Sequence, residues 1–403
     1  MAEKTCKSLY KTEMKNGKDL NIPFSGLQSI FLAAYSTLWS FAAIILLHYG
    51  LSNTEIGFVT SSATMAALFA SPLSSSFAER RQIPDCYVAV VFMAAALALA
   101  GGLLVSRTAA KLTAALCFVA IGTALTSIPP ILSSISVKTT RLGYDINYGL
   151  CRGVGSIAFS LTTFSVGFFM ETGGVKIAFC LFVVLAALEI LLLVSFSNKT
   201  KGAAKAKDEP ETEQLLSILR KNPLFGISLF GSMFFICAHN VSGTYLYAIA
   251  EKVGAGESAV GITLAISAIL EVPAMFLASR LQRRVSYKFL LCFAAAGGIV
   301  KNCIYYCAVS PLHLYIGAST QFIEFAIYIP ATVYYVSKAL PASSQLKGQS
   351  LIHVAGSGLG ASISAIVSGY LLDLGGIRYS LVFGIFSACC SFTFFLLFTK
   401  NEK

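Results

Sequence analysis

Residues 180–194 read CLFVVLAALEILLLV, an apolar run interrupted by a single charge, Glu189. It lacks the period-two alternation of a barrel strand. Extended to 176–196 it has the roughly 20 residues that cross about 30 Å of hydrocarbon as a helix. In lipid only helices and closed barrels pair all their backbone N–H and C=O groups, so the run reads as a transmembrane helix. Eleven further runs of this kind flank it, near 24–47, 54–78, 86–105, 110–135 and 146–169 before it, and near 224–249, 258–279, 288–308, 311–337, 349–372 and 377–398 after it. A chain of 403 residues that is 56% hydrophobic and 12% charged lies outside the range of soluble domains. The expected fold is therefore an all-α integral membrane protein of twelve transmembrane helices.

Basic residues orient it. With the N-terminus inside, the inner segments hold 23 of the 30 Lys and Arg residues, against five outside: Arg107, Lys111, Lys176, Lys252 and Arg378. The expectation is a multi-pass protein of the cytoplasmic membrane with both termini cytoplasmic. The net charge of +11 then reports topology and contact with anionic lipid, with no nucleic-acid partner. The first 22 residues are polar and cationic, unlike a cleaved signal peptide. Most of the 11 cysteines sit in apolar runs, where Cys acts as a small hydrophobe, and no disulfides are expected.

The charged stretch 197–223 divides the chain into an N-terminal six-helix bundle (1–196), a cytoplasmic linker and a C-terminal bundle (224–403). Residues 213–220 of the linker can form a short surface helix, and the part before them reads as flexible. The halves resemble each other. The segment from Gly50 aligns on that from Gly254 at an offset of 204, putting Gly57 on Gly261 and Arg80 on Arg284. VGFFMETGGV (166–175) matches SGYLLDLGGI (368–377), putting Glu171 on Asp373 and Gly174 on Gly376. Paired repeats of this kind occur in alternating-access carriers that hold substrate between the halves. The pattern resembles the major facilitator superfamily, and FAERRQIPDCY and LQRRVSYKF resemble degraded copies of its cytoplasmic loop signature, with Glu79 for the Asp in the first copy and Arg283 at that place in the second. The resemblance implies two pseudo-symmetric six-helix bundles and solute transport.

A charge at mid-bilayer costs about 2.5–3.5 kcal/mol on insertion scales and marks a functional candidate. Arg152, Glu189, Glu271, Lys301 and Glu324 lie within the apolar runs. At about 1.5 Å per residue, Glu324 and Lys301 share a depth near the midplane and Glu271 lies slightly nearer the inner side. One cation between two carboxylates suits a proton site: the pair holds Glu ionised, and its loss in an apolar wall favours protonation. A static pair that fixes helix packing is the alternative. Arg152 offers directed donors to hydroxyls or a carboxylate, or pairs with Glu189. His239 with Asn240, and His353, are deep enough to line a cavity or to pack. Trp39, the sole Trp, can stack on a solute or fill the core.

The same residues carry a narrower resemblance, to the lactose permease-like (oligosaccharide/proton symporter) branch. STQFIEFAIYIPATVYYVSK resembles its His-x-x-Glu segment, with Gln321 for the His, and Lys301 stands where that branch has a ninth-span Arg. YGLCRGVGSIAF resembles its Tyr-Gly-x-x-Arg-x-x-Gly-Ser motif, with Arg152 at the sugar-contacting Arg and Phe159 at the stacking Trp. ILEVPAMF, holding Glu271, resembles a Glu-x-Pro element. This implies proton-coupled symport with Glu324 as carrier, supported by Lys301 and Glu271. Arg152, Phe159, Trp39, His239, Asn240, Gln321 and His353 are then candidates for binding solute.

Departures leave the solute open. The fourth span offers Ser133 and Ser134 where the branch has an acid, and CAHNVSG (237–243) replaces the acids of the seventh. A sugar or oligosaccharide is expected first, with nucleosides and aromatic acids still open. Proton-coupled efflux is disfavoured because 146–169 has no Pro, whereas the drug-antiporter signature puts Gly-Pro there. No His-Glu-x-x-His, Ser–His or paired-Asp pattern within the spans suggests an enzyme, and no cofactor or metal is expected. A non-transporting receptor is a weaker reading. A monomer is expected.

Overall fold

The computed structural model describes residues 19–106, 110–200, 215–281, 284–341 and 344–398. The N-terminal half comprises α1 (Asn21–Leu38), α2 (Ala42–His48), α3 (Asn53–Arg81), α4 (Asp85–Val105), α5 (Lys111–Arg141), α6 (Tyr148–Gly173) and α7 (Lys176–Thr200). A short α8 (Leu215–Lys221) precedes α9 (Pro223–Thr244), α10 (Leu246–Lys252), α11 (Glu257–Leu281) and α12 (Tyr287–Tyr306). The chain ends with α13 (Pro311–Ser319), α14 (Phe325–Ala339), α15 (Gln345–His353), α16 (Ala361–Gly375) and α17 (Ile377–Phe398). The short helix expected at 213–220 is α8, described from Leu215; of the stretch expected to be flexible, 197–212, residues 197–200 instead continue α7 as helix, and the rest lies outside the described residues.

Among the described residues, eleven of the expected spans are helices long and apolar enough to cross a membrane. The remaining one is the tenth, which runs from α13 through a 3₁₀ turn (Thr320–Phe322) into α14, so neither piece spans alone. The first span pauses at Trp39–Phe41 between α1 and α2, and the seventh at Tyr245 between α9 and α10. The eleventh passes through a π-helical segment, Val354–Gly360. Non-α backbone at membrane depth is tolerated where protein surrounds it or where it lines a cavity.

The repeat is visible in the backbone. Gly50 and Gly254, matched in sequence, adopt φ of +79° and +73°, and the matched Gly174 and Gly376 adopt +71° and +79°. These left-handed turns reverse the chain before α3 and α11, and before α7 and α17. All four lie at one end of the bundle, here the Asp373 end; the other is the Lys138 end.

At the Asp373 end the two halves are pressed together. A Cβ on Gly167 of α6 would stand 2.6 Å from the Glu257 carbonyl of α11, so backbone meets backbone there. Gly57 of α3 is as tight against Ala365 of α16, and the Tyr245 hydroxyl donates to the carbonyls of Ala365 (2.7 Å) and Asn53 (3.1 Å). The apolar core of the first six spans accordingly continues into Val241, Tyr245, Ile249, Val260 and Leu381 of the second half. Toward the Lys138 end the second half has its own core around Phe225, Tyr287, Leu290 and Tyr335. Lys138 itself joins α5 to Glu79 (3.0 Å) and Asp85 (3.1 Å), within the first half.

Candidate functional site

Five polar side chains from four spans form one chain of contacts in the second half. Lys301, on α12 and 5% exposed, extends its Nζ to Glu324 Oε2 at 2.9 Å and to Gln321 Oε1 at 2.9 Å. Glu324 is 0% exposed, and its other oxygen lies 3.2 Å from His239 Nδ1 on α9. Gln321 passes the network on by donating Nε2 to Glu271 Oε1 on α11 at 3.1 Å.

The backbone is shaped to hold this chain. Gly297 and Gly298 of α12 leave the room in which the broken tenth span sits. A Cβ on Gly297 would lie 3.2 Å from the Glu324 nitrogen, and one on Gly298 would lie 3.5 Å from Glu324 Oε1. The 3₁₀ turn and the non-helical Glu324 (φ −71°, ψ −90°) place this carboxylate at the N-terminus of α14, where the helix dipole favours a negative charge. The His239 ring stacks on Phe325, with centroids 4.6 Å apart and planes at 16°. Asn302 donates to the Ala238 carbonyl (3.3 Å) and Ser364 to the Cys237 carbonyl (2.7 Å), which fixes the turn of α9 that presents His239.

Electrostatically, Glu324 is a carboxylate removed from water and held by one ammonium and one imidazole. Removing one partner of such a pair strands the other charge, at a cost of about 3–5 kcal/mol. The arrangement can therefore accept a proton only by repartnering, which is the property a coupling device needs.

The expected grouping of Glu271, Lys301 and Glu324 is present, but Glu271 reaches the pair through Gln321 rather than directly. His239 and Gln321, expected at the solute, are partners within this charge chain: the break at 320–324 turns Gln321 and Glu324 toward Lys301, and α9 presents His239 to the same carboxylate. Asn240 is half-buried on the next position of α9. In the first half, half-buried Arg152 lies on α6 within electrostatic reach of Tyr35. A Cβ on neighbouring Gly153 would meet Val272 of α11 at 3.9 Å, so Arg152 and Glu271 occupy the same level on two packed helices.

The expected alternative pairing of Arg152 with Glu189 does not form. Glu189 is 0% exposed, and neither of its oxygens has a hydrogen-bond partner among the described residues, because its face of α7 packs on α1 and α4. Trp39 sits in the pause of the first span, half-buried, with its ring against Gly122 of α5. Phe159 packs half-buried against the first-half core, and His353 is exposed at the start of the π-helical segment, outside the charge chain. Ser134 of the fourth span donates to Asp85 at 2.8 Å. Sequence reasoning missed Asn302 and Ser364. Asn302 had a signal, since it follows Lys301 in an apolar run; Ser364 had none.

A family model, described as "MFS_1 like family", matches residues 23–383. The chain belongs to the MFS_1 like family. "Uncharacterized transporter YwbF" of Bacillus subtilis (strain 168) is 24% identical over 390 residues, covering 94% of each chain. "Maltose permease" of Geobacillus stearothermophilus is 26% identical over 364 residues, covering 88% of each. Among solved structures, a point mutant of the nucleoside transporter NupG superposes with a TM-score of 0.79 at 16% identity, over 94% of this chain and 99% of that one. A bacterial homolog of the human lysosomal transporter Spinster, inward-facing and unoccupied, gives 0.65 at 14% identity over 94% and 96%. These likenesses show the major facilitator fold. This member of the MFS_1 like family is a multi-pass membrane transporter and not an enzyme.

Proposed function

We propose that the protein is a proton-coupled symporter of a small polar solute, a sugar or oligosaccharide first, in the cytoplasmic membrane. The units that move are 1–196 and 224–403, with solute held between them and the Lys138 end facing the cytoplasm. The observation that carries this reading is Glu324: a fully buried carboxylate at a helix break, clasped by Lys301 and His239 and wired through Gln321 to Glu271. Val272, the neighbour of Glu271, meets Gly153, the neighbour of Arg152, across the α6–α11 seam. Solute entering between α6 and α11 reaches the end of the charge chain there, so binding and protonation can be linked through Gln321. Arg152, with no ion pair to Glu189, keeps its donors for solute hydroxyls, and we assign Asn240 and Phe159 to the same solute. The names of a maltose permease and a nucleoside transporter among the relatives fit a hydroxyl-rich solute.

The test begins with a thermal-shift screen over sugars, nucleosides and aromatic acids. The solute it identifies is then added to proteoliposomes containing a pH indicator. Entry of solute with concurrent acidification of the lumen is expected; solute entry with no proton movement removes the coupling.

A further inference from the structure

The internal repeat puts Glu171 and Asp373 at matching positions near the ends of α6 and α16. Each lies beside the first turn of a helix from the opposite half: α11 for Glu171 and α3 for Asp373. What happens at those two turns differs.

The first turn of α3 has a cap of its own. Ser52 Oγ accepts from the Glu55 amide at 3.3 Å, and Glu55 Oε2 accepts from the Ser52 amide at 2.7 Å. This reciprocal box leaves the amides of Asn53 and Thr54 without an intrahelical acceptor. Asp373 takes both, at 3.2 and 2.7 Å. It also accepts from Asn53 Nδ2 at 2.8 Å and from Thr54 Oγ1 at 2.6 Å. One carboxylate from the eleventh span thus completes the N-terminus of the second, with four charge-assisted hydrogen bonds aligned with the helix dipole. At the sister seam the repeat supplies Glu257 and Ser258 where α3 has Asn53 and Thr54. Glu171 lies there with Oε1 3.2 Å from where a Gly256 Cβ would stand, facing a turn that opens with a like charge. None of the four bonds recurs at Glu171 among the described residues.

We propose that Asp373 is a one-sided latch: it clasps α3 to α16, holds the Asp373-end mouth shut, and must be released each time that mouth opens. Asp373 is exposed, so opening exchanges these four bonds for bonds to water; their common alignment on the first turn of α3 is what weights the resting population toward the closed mouth. The seam of α6 with α11 keeps the tight glycine contact without the clasp. The proposal rests on the transporter fold and on alternation of its mouths; it does not depend on protons or on the nature of the solute.

The experiment uses the full-length protein in lipid nanodiscs, with spin labels on non-natural residues replacing Val105 and Val309. These positions are 81% and 79% exposed, lie at the Asp373 end and belong to opposite halves. Dipolar spectroscopy reads the distance between them. The wild type is expected to show mainly the short distance. Asp373→Asn is expected to raise the ratio of long to short by about tenfold, the equivalent of one lost charge-assisted bond. Glu171→Gln is expected to leave the distribution as in the wild type. An unchanged distribution in Asp373→Asn, or an equal shift in Glu171→Gln, overturns the latch. If Asp373→Asn does not fold, Asn53→Ala combined with Thr54→Val, which leaves the carboxylate in place and removes both side-chain donors, decides on the same terms.

Discussion

A single carboxylate in a membrane protein needs a reason to be there, and for Glu324 the reason is legible in its partners. The Lys301 ammonium pairs with it, the His239 ring lies against its other oxygen, and Gln321 shares the ammonium. The pair makes a stability prediction independent of transport. Lys301→Met strands Glu324 and is expected to lower Tm in detergent more than the double variant Lys301→Met with Glu324→Gln, in which no charge is left unpaired. A double variant no more stable than the single one contradicts the pairing. Arg152 makes a different prediction. Arg152→Lys loses the planar fork and is expected to weaken solute binding by more than about 1 kcal/mol, read by titration calorimetry; unchanged affinity returns Arg152 to a structural role. Charges in apolar runs are what sequence displays best, which is why Lys301, Glu324 and Glu271 were legible. Partner choice was not. His239 was visible as a deep histidine, but only the break at 320–324 decides that it meets Glu324, and Glu189 was visible as an acid in an apolar run, while its having no hydrogen-bond partner among the described residues was not.

At the scale of elements, the tenth span shows what a hydropathy reading leaves out. Pro330 is the residue that sequence marks as a breaker, yet α14 continues through it. The interruption falls instead at Thr320–Glu324, a stretch with neither Gly nor Pro. Its cause lies in another helix: Gly297 and Gly298 give the turn a seat that no property of residues 320–324 reveals. Gly297→Val is therefore expected to press on Ile323 and the Glu324 amide, with an overpacking cost of about 1–3 kcal/mol. The measurements are Tm and solute accumulation, both reduced, with solute affinity nearly kept. A variant with full stability and transport shows that the seat tolerates a side chain and that the turn is not held as described. The reciprocal box of Ser52 and Glu55 at the start of α3, and the acceptor from α16 that completes that turn, emerge only in the structure.

At the scale of the whole molecule, the repeat read from Gly50, Gly254, Gly174 and Gly376 reappears as four matched left-handed turns at one end. The twelve spans were legible because lipid permits so few ways to satisfy a backbone. Which mouth is closed was not, because glycines at Gly57, Gly167 and Gly261 look alike in sequence whether their seam is open or shut. The distribution of basic residues predicts that the Lys138 end is cytoplasmic. A phosphatase reporter active only outside the cytoplasm is expected to be silent after Lys403 and active when inserted near Arg107; the reverse result inverts the orientation. The central claim is that Glu324 couples proton movement to solute movement, and one comparison in sealed proteoliposomes addresses it directly. Glu324→Gln is expected to abolish accumulation driven by a proton gradient while preserving exchange of labelled for unlabelled solute across the membrane, whereas gradient-driven accumulation at the wild-type level would contradict the account.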